Sequence, residues 1–134
     1  MSPIFVDTSA ILALLDRSDA RHEIARETFV DLAAAELVTS GYVVAESLAV
    51  TRRRFGVDGA IALIDGLLPT IDVLPVTPAE HETILAAYRA SLPAGISFVD
   101  RVSLHVMERD SIAKAFAFDQ DLASGGAVVL PRHT

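Results

Sequence analysis

The chain has no cysteine, which removes any disulfide framework and any thiolate zinc site and fits a reducing compartment. It is also short of cations: eleven Lys and Arg against eighteen Asp and Glu give a formal charge of −7, and Lys114 is the single lysine. A field of that sign does not draw in nucleic acid, whose usual footprint on a protein is a basic patch or a high isoelectric point. Hydrophobic residues make up 51% of the chain and the mean hydropathy is +0.43, yet no uncharged run approaches the ~20 residues a membrane span needs. There is no basic N-terminal stretch leading into a cleavable apolar segment, no internal repeat, no low-complexity tract and no linker. These absences give the expectation of one soluble, untargeted, cytoplasmic domain over residues 1–134, with no membrane partner. A domain of that size buries roughly two thirds of its unfolded surface.

What is present alternates in character along the chain. Ile4-Phe5-Val6 followed by Asp7-Thr8-Ser9 and then Ala10 through Leu15 reads as a buried strand turning into a helix, with Asp7 at the joint. Residues 21–35 predict a core-covering helix, with Ile24, Ala25, Thr28, Phe29, Leu32 and Ala33 on one face. Leu37-Val38-Thr39 is a short strand, and a helix over residues 42–54 stops at Phe55-Gly56, with Gly56 as its C-cap. The helix from Asp58 to Leu68 is more apolar than one buried face requires, which marks it as a subunit interface. Residues 71–76 read as a strand near a sheet edge, because Pro75 has no amide to give to a ladder. Thr77-Pro78-Ala79-Glu80 opens a helix to Ser91: Thr77 at N-cap and Glu80 at N3 form a capping box, so Glu80 has a structural task.

The remainder is a loop over residues 92–95, a helix over 98–109, a strand over 115–118, a turn over 119–126 and a strand over 127–130. The tail, residues 131–134, reads as loose. Strands alternating with helices predict an α/β fold, a mainly parallel sheet of four to five strands flanked by helices on both faces. His22, His81, His105 and His133 have no ligand spacing and read as surface residues.

Position matters more for the carboxylates. Asp7 and Asp119 each follow an apolar strand and should lie at the same, carboxyl end of the sheet, although either also serves as an ordinary turn or cap residue. Glu46 has Tyr42, Val43, Ala49 and Val50 at three and four residues either side, so it shares the face that should be buried, and a buried carboxylate must be neutralised, paired or bound to a cation. Asp65, among Ile61, Ala62 and Leu68, satisfies the same rule. Asp100 is N3 of a capping box headed by Ser97, and Asp121 shares the turn of Asp119. Four carboxylates from a strand end, a helix, a helix start and another strand end make an oxygen-rich set of the kind that Mg²⁺ and Mn²⁺ prefer. Gathering them on a cation would leave the rest of the chain near neutral; a solubilising acidic surface accounts for the total equally well.

Ile4-Phe5-Val6-Asp7-Thr8-Ser9, Glu46 on the third helix, Ser97-Phe98-Val99-Asp100 and Ala117-Phe118-Asp119-Gln120-Asp121-Leu122 resemble the successive acidic motifs of the PIN-domain nucleases. Their order, spacing and compact length are similar in particular to the ribonuclease toxins of type II toxin–antitoxin pairs, the VapC-like proteins. The resemblance implies that Asp7, Glu46, Asp100 and Asp119 bind one or two Mg²⁺ or Mn²⁺ ions, with Asp121 as an auxiliary ligand. It implies that Thr8 or Ser9 braces the first carboxylate or contacts substrate, and Ser97 is a candidate for the same supporting part. The implied activity is in-line hydrolysis of RNA phosphodiester bonds, leaving 5′-phosphate and 3′-hydroxyl ends. The implied partners are a small antitoxin that lays a segment over the acidic pocket and a second copy of the chain, with the segment from Asp58 to Leu68 as the candidate contact.

Arg52-Arg53-Arg54 is the one basic cluster, suited either to phosphate contact or to complementing a helix C-terminus. Other enzymes with aspartate after the first strand fit less well. A haloacid-dehalogenase-like phosphatase wants a second aspartate where this chain has Ser9, and a phospho-receiver wants a lysine at a later strand's end, whereas Lys114 precedes its strand. The remaining alternative is a non-catalytic PIN-like module for RNA binding or assembly.

Overall fold

The computed structural model describes residues 2–132. Five strands lie side by side, all parallel, in the order β3-β2-β1-β4-β5. They are β1 (Ile4–Val6), β2 (Leu37–Ser40), β3 (Asp72–Leu74), β4 (Lys114–Phe116) and β5 (Val128–Leu130). β1 is central, with Phe5 between Val38 and Ala115 in register, and its three residues are all buried. A strand covered on both faces shows an unbroken apolar run and no alternation. β3 is an edge strand with Asp72 and Val73 exposed, and Pro75 lies just past its end, as expected from its missing donor.

The connections β1 to β2 to β3 step in one direction, and β3 to β4 to β5 step back the other way. Right-handed crossovers that run in opposite directions place their helices on opposite faces of a sheet. The reversal falls between β1 and β4, and it is outside the carboxyl ends of such a strand pair that open parallel sheets form their ligand crevices. The helices are α1 (Thr8–Leu15), α2 (His22–Asp31), α3 (Gly41–Ile61), α4 (Pro78–Ala90) and α5 (Phe98–Arg109). Phe5, Ile11, Val43, Leu63, Val102, Val106, Phe116 and Leu122 form the heart of the core, each fully enclosed.

Four local expectations need correction. α2 stops at Asp31 and not at residue 35, because the amides of Ala33 and Ala35 turn back onto the carbonyls of Val30 and Leu32 to feed the chain into β2. A run of alanines favours helix, so tertiary geometry overrides propensity there. Gly56 is a kink within the helix and not its C-cap: its φ of 71° and ψ of −159° interrupt α3, and helix resumes at once. The expected helix over residues 58–68 changes winding after Ile61, into a π-helical stretch, Ala62–Leu67, and then a 3-10 turn, Leu68–Thr70, that takes in Pro69.

The histidines are the fourth correction, since those described are half-buried and bonded. His22 Nδ1 meets the Ala13 carbonyl oxygen at 2.9 Å. His81 stacks on Tyr42, bonds its hydroxyl, and packs edge-on against Phe98. His105 Nε2 lies 2.6 Å from Glu80 Oε2, while His133 and the last residue of the tail lie outside the described residues. The Thr77–Glu80 capping box is complete, and Glu80 also accepts from Arg109 at 2.9 Å, so this one carboxylate both starts α4 and joins it to α5. The Thr77 amide first, then His105 and Arg109, pull its pKa down to about 2.

The conformation at Gly56 belongs to a region that side-chain-bearing residues scarcely enter, so Gly56→Ala is expected to cost about 1–3 kcal/mol in urea unfolding. Gly66→Ala is the control: the added Cβ meets nothing within 4 Å and the backbone carries no positive φ, so the change should be neutral or stabilising by up to about 1 kcal/mol. Equal effects of the two substitutions would remove the kink from the account.

Candidate active site

The site begins where β1 hands over to α1. Asp7 is the N-cap of α1, in extended backbone, and its Oδ2 accepts from the Ser9 amide at 3.1 Å and the Ser9 hydroxyl at 2.6 Å. The Ser9 Oγ in turn accepts from the Phe118 amide at 2.9 Å, and the Asp7 amide donates to the Phe116 carbonyl at 3.0 Å. Two short links therefore tie the end of β1 to the end of β4. One residue beyond Phe118, Asp119 caps the 3-10 segment Gln120–Gly125, its Oδ1 accepting from the Asp121 amide at 2.8 Å. The capping tasks that a sequence alone suggests for Asp7 and Asp119 are real, and both residues still face a common cleft.

That cleft, about 310 Å³, is lined by Asp7, Thr8, Ser9, Leu12, Glu46, Gly95, Ser97, Asp100, Asp119 and Asp121. Carboxylate oxygens of Asp100, Asp119 and Asp121 lie within 4.8 Å of one another. Glu46, half-buried on α3, forms part of the wall but stands outside that trio, as does Asp7. Asp65, which the same face argument selects, is exposed and is not among the residues lining the cleft. Arg52, Arg53 and Arg54 are exposed on α3 and are not among the residues lining the cleft.

Asp100 shows how a cap and a site diverge. The Ser97 hydroxyl accepts from the Asp100 amide at 3.1 Å, which starts α5. Unlike Glu80, Asp100 does not complete the box, and its side chain is only 7% exposed among other acids. Burial first, then the charges of Asp7 and Asp119 and a hydrogen bond with Asp121, push its pKa up to about 7. Burial also raises Asp7, which is 3% exposed, against the pull of the Ser9 donors; the charge on Asp119 adds to the rise. Like charges held this close favour a shared proton or a cation between them.

The donor set fits a hard divalent cation, being all oxygen with no nitrogen or sulfur. A second observation agrees: Thr8 Oγ1 is buried at the cleft without a hydrogen-bond partner, and a buried hydroxyl left unpaired costs about 1–3 kcal/mol unless something bound there engages it. Leu12 and Gly95 are lining residues that sequence reasoning did not select. Leu12 follows Thr8 by one helical turn, and Gly95, at a φ of 79°, ends the loop before Ser97, so spacing from the acids was the available signal.

Comparison with known proteins places these residues in context. The PIN-domain family model matches residues 4–127. VapC20 of Mycobacterium tuberculosis, a 23S rRNA-specific endonuclease, is 34% identical over 126 residues, spanning 93% of this chain and 95% of the relative. The crystal structure of M. tuberculosis VapC20, described as a sarcin–ricin loop cleaving toxin, superposes with a TM-score of 0.83 at 32% identity, over 93% of this chain and 96% of that one. PAE2754 from Pyrobaculum aerophilum shares the fold, with a TM-score of 0.61 at 21% identity over 96% of this chain and 92% of that one.

A carboxyl raised to about 7 in the folded state and near 3.8 when unfolded binds more protons folded than unfolded between those values. Without a divalent ion, stability should therefore fall as pH rises from about 4 to 7. Asp100→Asn removes that loss and is expected to raise stability on the order of 1–3 kcal/mol at pH 8 in EDTA, as read by urea unfolding. Mg²⁺ should then stabilise the original protein more than the variant. A variant that is less stable than the original in EDTA would contradict the electrostatic account.

Proposed function

The chain belongs to the PIN-domain family, and from that premise we propose that it is a metal-dependent ribonuclease of the VapC toxin type, hydrolysing RNA phosphodiester bonds. The observation that carries this reading is the meeting of carboxylates from β1, α3, α5 and the end of β4 in one cleft at the reversal of the sheet. Asp100, Asp119 and Asp121 would hold Mg²⁺ or Mn²⁺, with Asp7 and Glu46 as further direct or water-bridged ligands. When bound, the ion supplies a water of lowered pKa and neutralises charge developing on the phosphate.

The protein's own part is positional. Ser9 fixes the Asp7 carboxylate and its distance from the β4 end, so the acids need no rearrangement as charge develops. Ser97 and Asp119 are held in place by the helices they start, and the Thr8 hydroxyl is available to donate to a phosphate oxygen or a water. Because VapC20 acts on 23S rRNA, the sarcin–ricin loop named for its structure is the first substrate proposed for this chain. Such a substrate would make the cytoplasm its place of work. The proposed partners are a small antitoxin covering the cleft and a second copy of the chain. Val57, Ile61 and Ile64, 57%, 49% and 49% exposed, follow helical spacing and offer the apolar contact for that copy.

With Mg²⁺, purified protein should cut a sarcin–ricin loop RNA, and EDTA should stop it. Asp7→Asn should lower the rate roughly 10²–10³-fold with an intact melting transition; cleavage that survives both treatments would sink the proposal, and binding without cleavage would favour the non-catalytic RNA-binding module. Separately, Ile61→Asp should halve the mass measured by light scattering. An original protein that is already monomeric would remove the proposed interface.

A further inference from the structure

Three arginines spend their charge in ion pairs: Arg21 with Asp19, Arg26 with Glu23, and Arg109 with Glu80 and Asp110. Arg101 has no ion pair among the described residues, although acids outnumber bases throughout the chain. It is half-buried, and its Nε is enclosed by protein without a hydrogen-bond partner. An enclosed guanidinium N–H left unpaired is costly, on the order of 1–3 kcal/mol, and a fold rich in carboxylates had simple means to satisfy it. The exposed Arg52, Arg53 and Arg54 differ in this respect, since water solvates them at no such cost.

Its placement supplies the second half of the argument. The Arg101 amide donates to the Ser97 carbonyl at 3.0 Å, closing the first turn of α5. Residues four apart share a helix face, and Ser97 lines the acidic cleft, as does Asp100, the immediate neighbour of Arg101. Arg101 does not itself line the cleft of five carboxylates. It stands on the first turn of α5 next to residues that do, and a cation there, paired with none of those acids, suits a polyanion that extends past the cleft along α5. A half-buried stem and an enclosed Nε also restrict where the planar fork can go, so less side-chain freedom is lost when it meets phosphate.

We propose that Arg101 is a phosphate-binding residue, which receives the RNA backbone next to the bond presented to the acidic cleft. The inference rests on the ribonuclease reading above. Arg101 reads charge and not base identity, so it supplies grip and register while sequence preference comes from elsewhere.

The test uses full-length protein carrying Asp7→Asn, so that RNA is bound and not cut, titrated by fluorescence anisotropy with a labelled sarcin–ricin loop RNA and an unrelated single-stranded RNA at several KCl concentrations. Arg101→Met, which keeps an apolar stem, should weaken both RNAs roughly tenfold and reduce the slope of log K against log salt by about 0.7–0.9, one phosphate contact. Arg101→Lys should keep the slope and lose part of the affinity. Unchanged affinity and slope in the Met variant overturns the proposal, as does equal loss in both variants with no change of slope, which is the pattern of a purely structural role. If Arg101→Met does not melt cooperatively, the slope measured with Arg101→Gln decides in its place. A protein with Arg101 intact that neither binds nor, with Asp7 restored, cuts either RNA defeats the ribonuclease reading itself, an outcome distinct from failure of the arginine variants.

Discussion

The Ser9 hydroxyl holds together what the sheet would otherwise leave as two separate strand ends. It donates to Asp7 and accepts from the Phe118 amide, and so a carboxylate on β1 and the backbone leading to Asp119 are fixed to each other at the point where the winding of the sheet reverses. Every other acid is brought to this joint by an element with its own reason to be there. Asp100 arrives because Ser97 starts α5 at the rim, and Glu46 because Ser40, the last residue of the strand beside β1, caps α3. The result opposes folding electrostatically, since burial and neighbouring charge raise both Asp7 and Asp100. A fully enclosed apolar core and the Glu80 junction between α4 and α5 offset that cost elsewhere.

Much of this was legible in the sequence because the signals were local. A three-residue apolar run ending in Asp-Thr-Ser, a glycine after a helical period, a proline after an edge strand and a Thr-Pro-x-Glu box each carry their geometry within a few residues. The half-buried place of Glu46 in the cleft wall was legible at one remove, from its apolar neighbours on a helix. Where the reading went astray, the cause was tertiary. Ala33 and Ala35 favour helix but must turn to reach β2, and the histidines looked solvent-facing because Tyr42, Glu80 and the Ala13 carbonyl come from distant elements. Asp100 had two roles open to it, and nothing within the Ser97 motif says that its carboxylate will abandon the cap for the cleft.

The orphaned Nε of Arg101 belongs to the same class of hidden feature. In sequence it is one charged residue in an amphipathic helix, indistinguishable from Arg109 two turns later. The structure separates them: Arg109 finds Glu80, Asp110 and the Pro75 carbonyl, while Arg101 finds no partner among the described residues. An acidic chain that handles a polyanion needs its few cations placed, not numerous, because the net charge of −7 opposes approach and only local charge can reverse it over a Debye length of about 8 Å.

The failure of one rule for Glu46 and Asp65 shows what Gly56 does for the fold. Both acids have apolar neighbours at helical spacing, yet Glu46 lines the cleft and Asp65 is exposed. An unbroken helix would carry a single stripe from one to the other and commit both to the same environment. With φ at 71° in Gly56 and π-helical winding after Ile61, the phase of the stripe is reset twice between them. The N-terminal part of α3 is thereby free to serve the acidic cleft, while Val57, Ile61 and Ile64 turn outward as a separate apolar surface. Two surfaces with opposite chemical needs can share one continuous helix only if its periodicity is broken between them, and a glycine that adopts a backbone conformation closed to other residues does that at the cost of a single position.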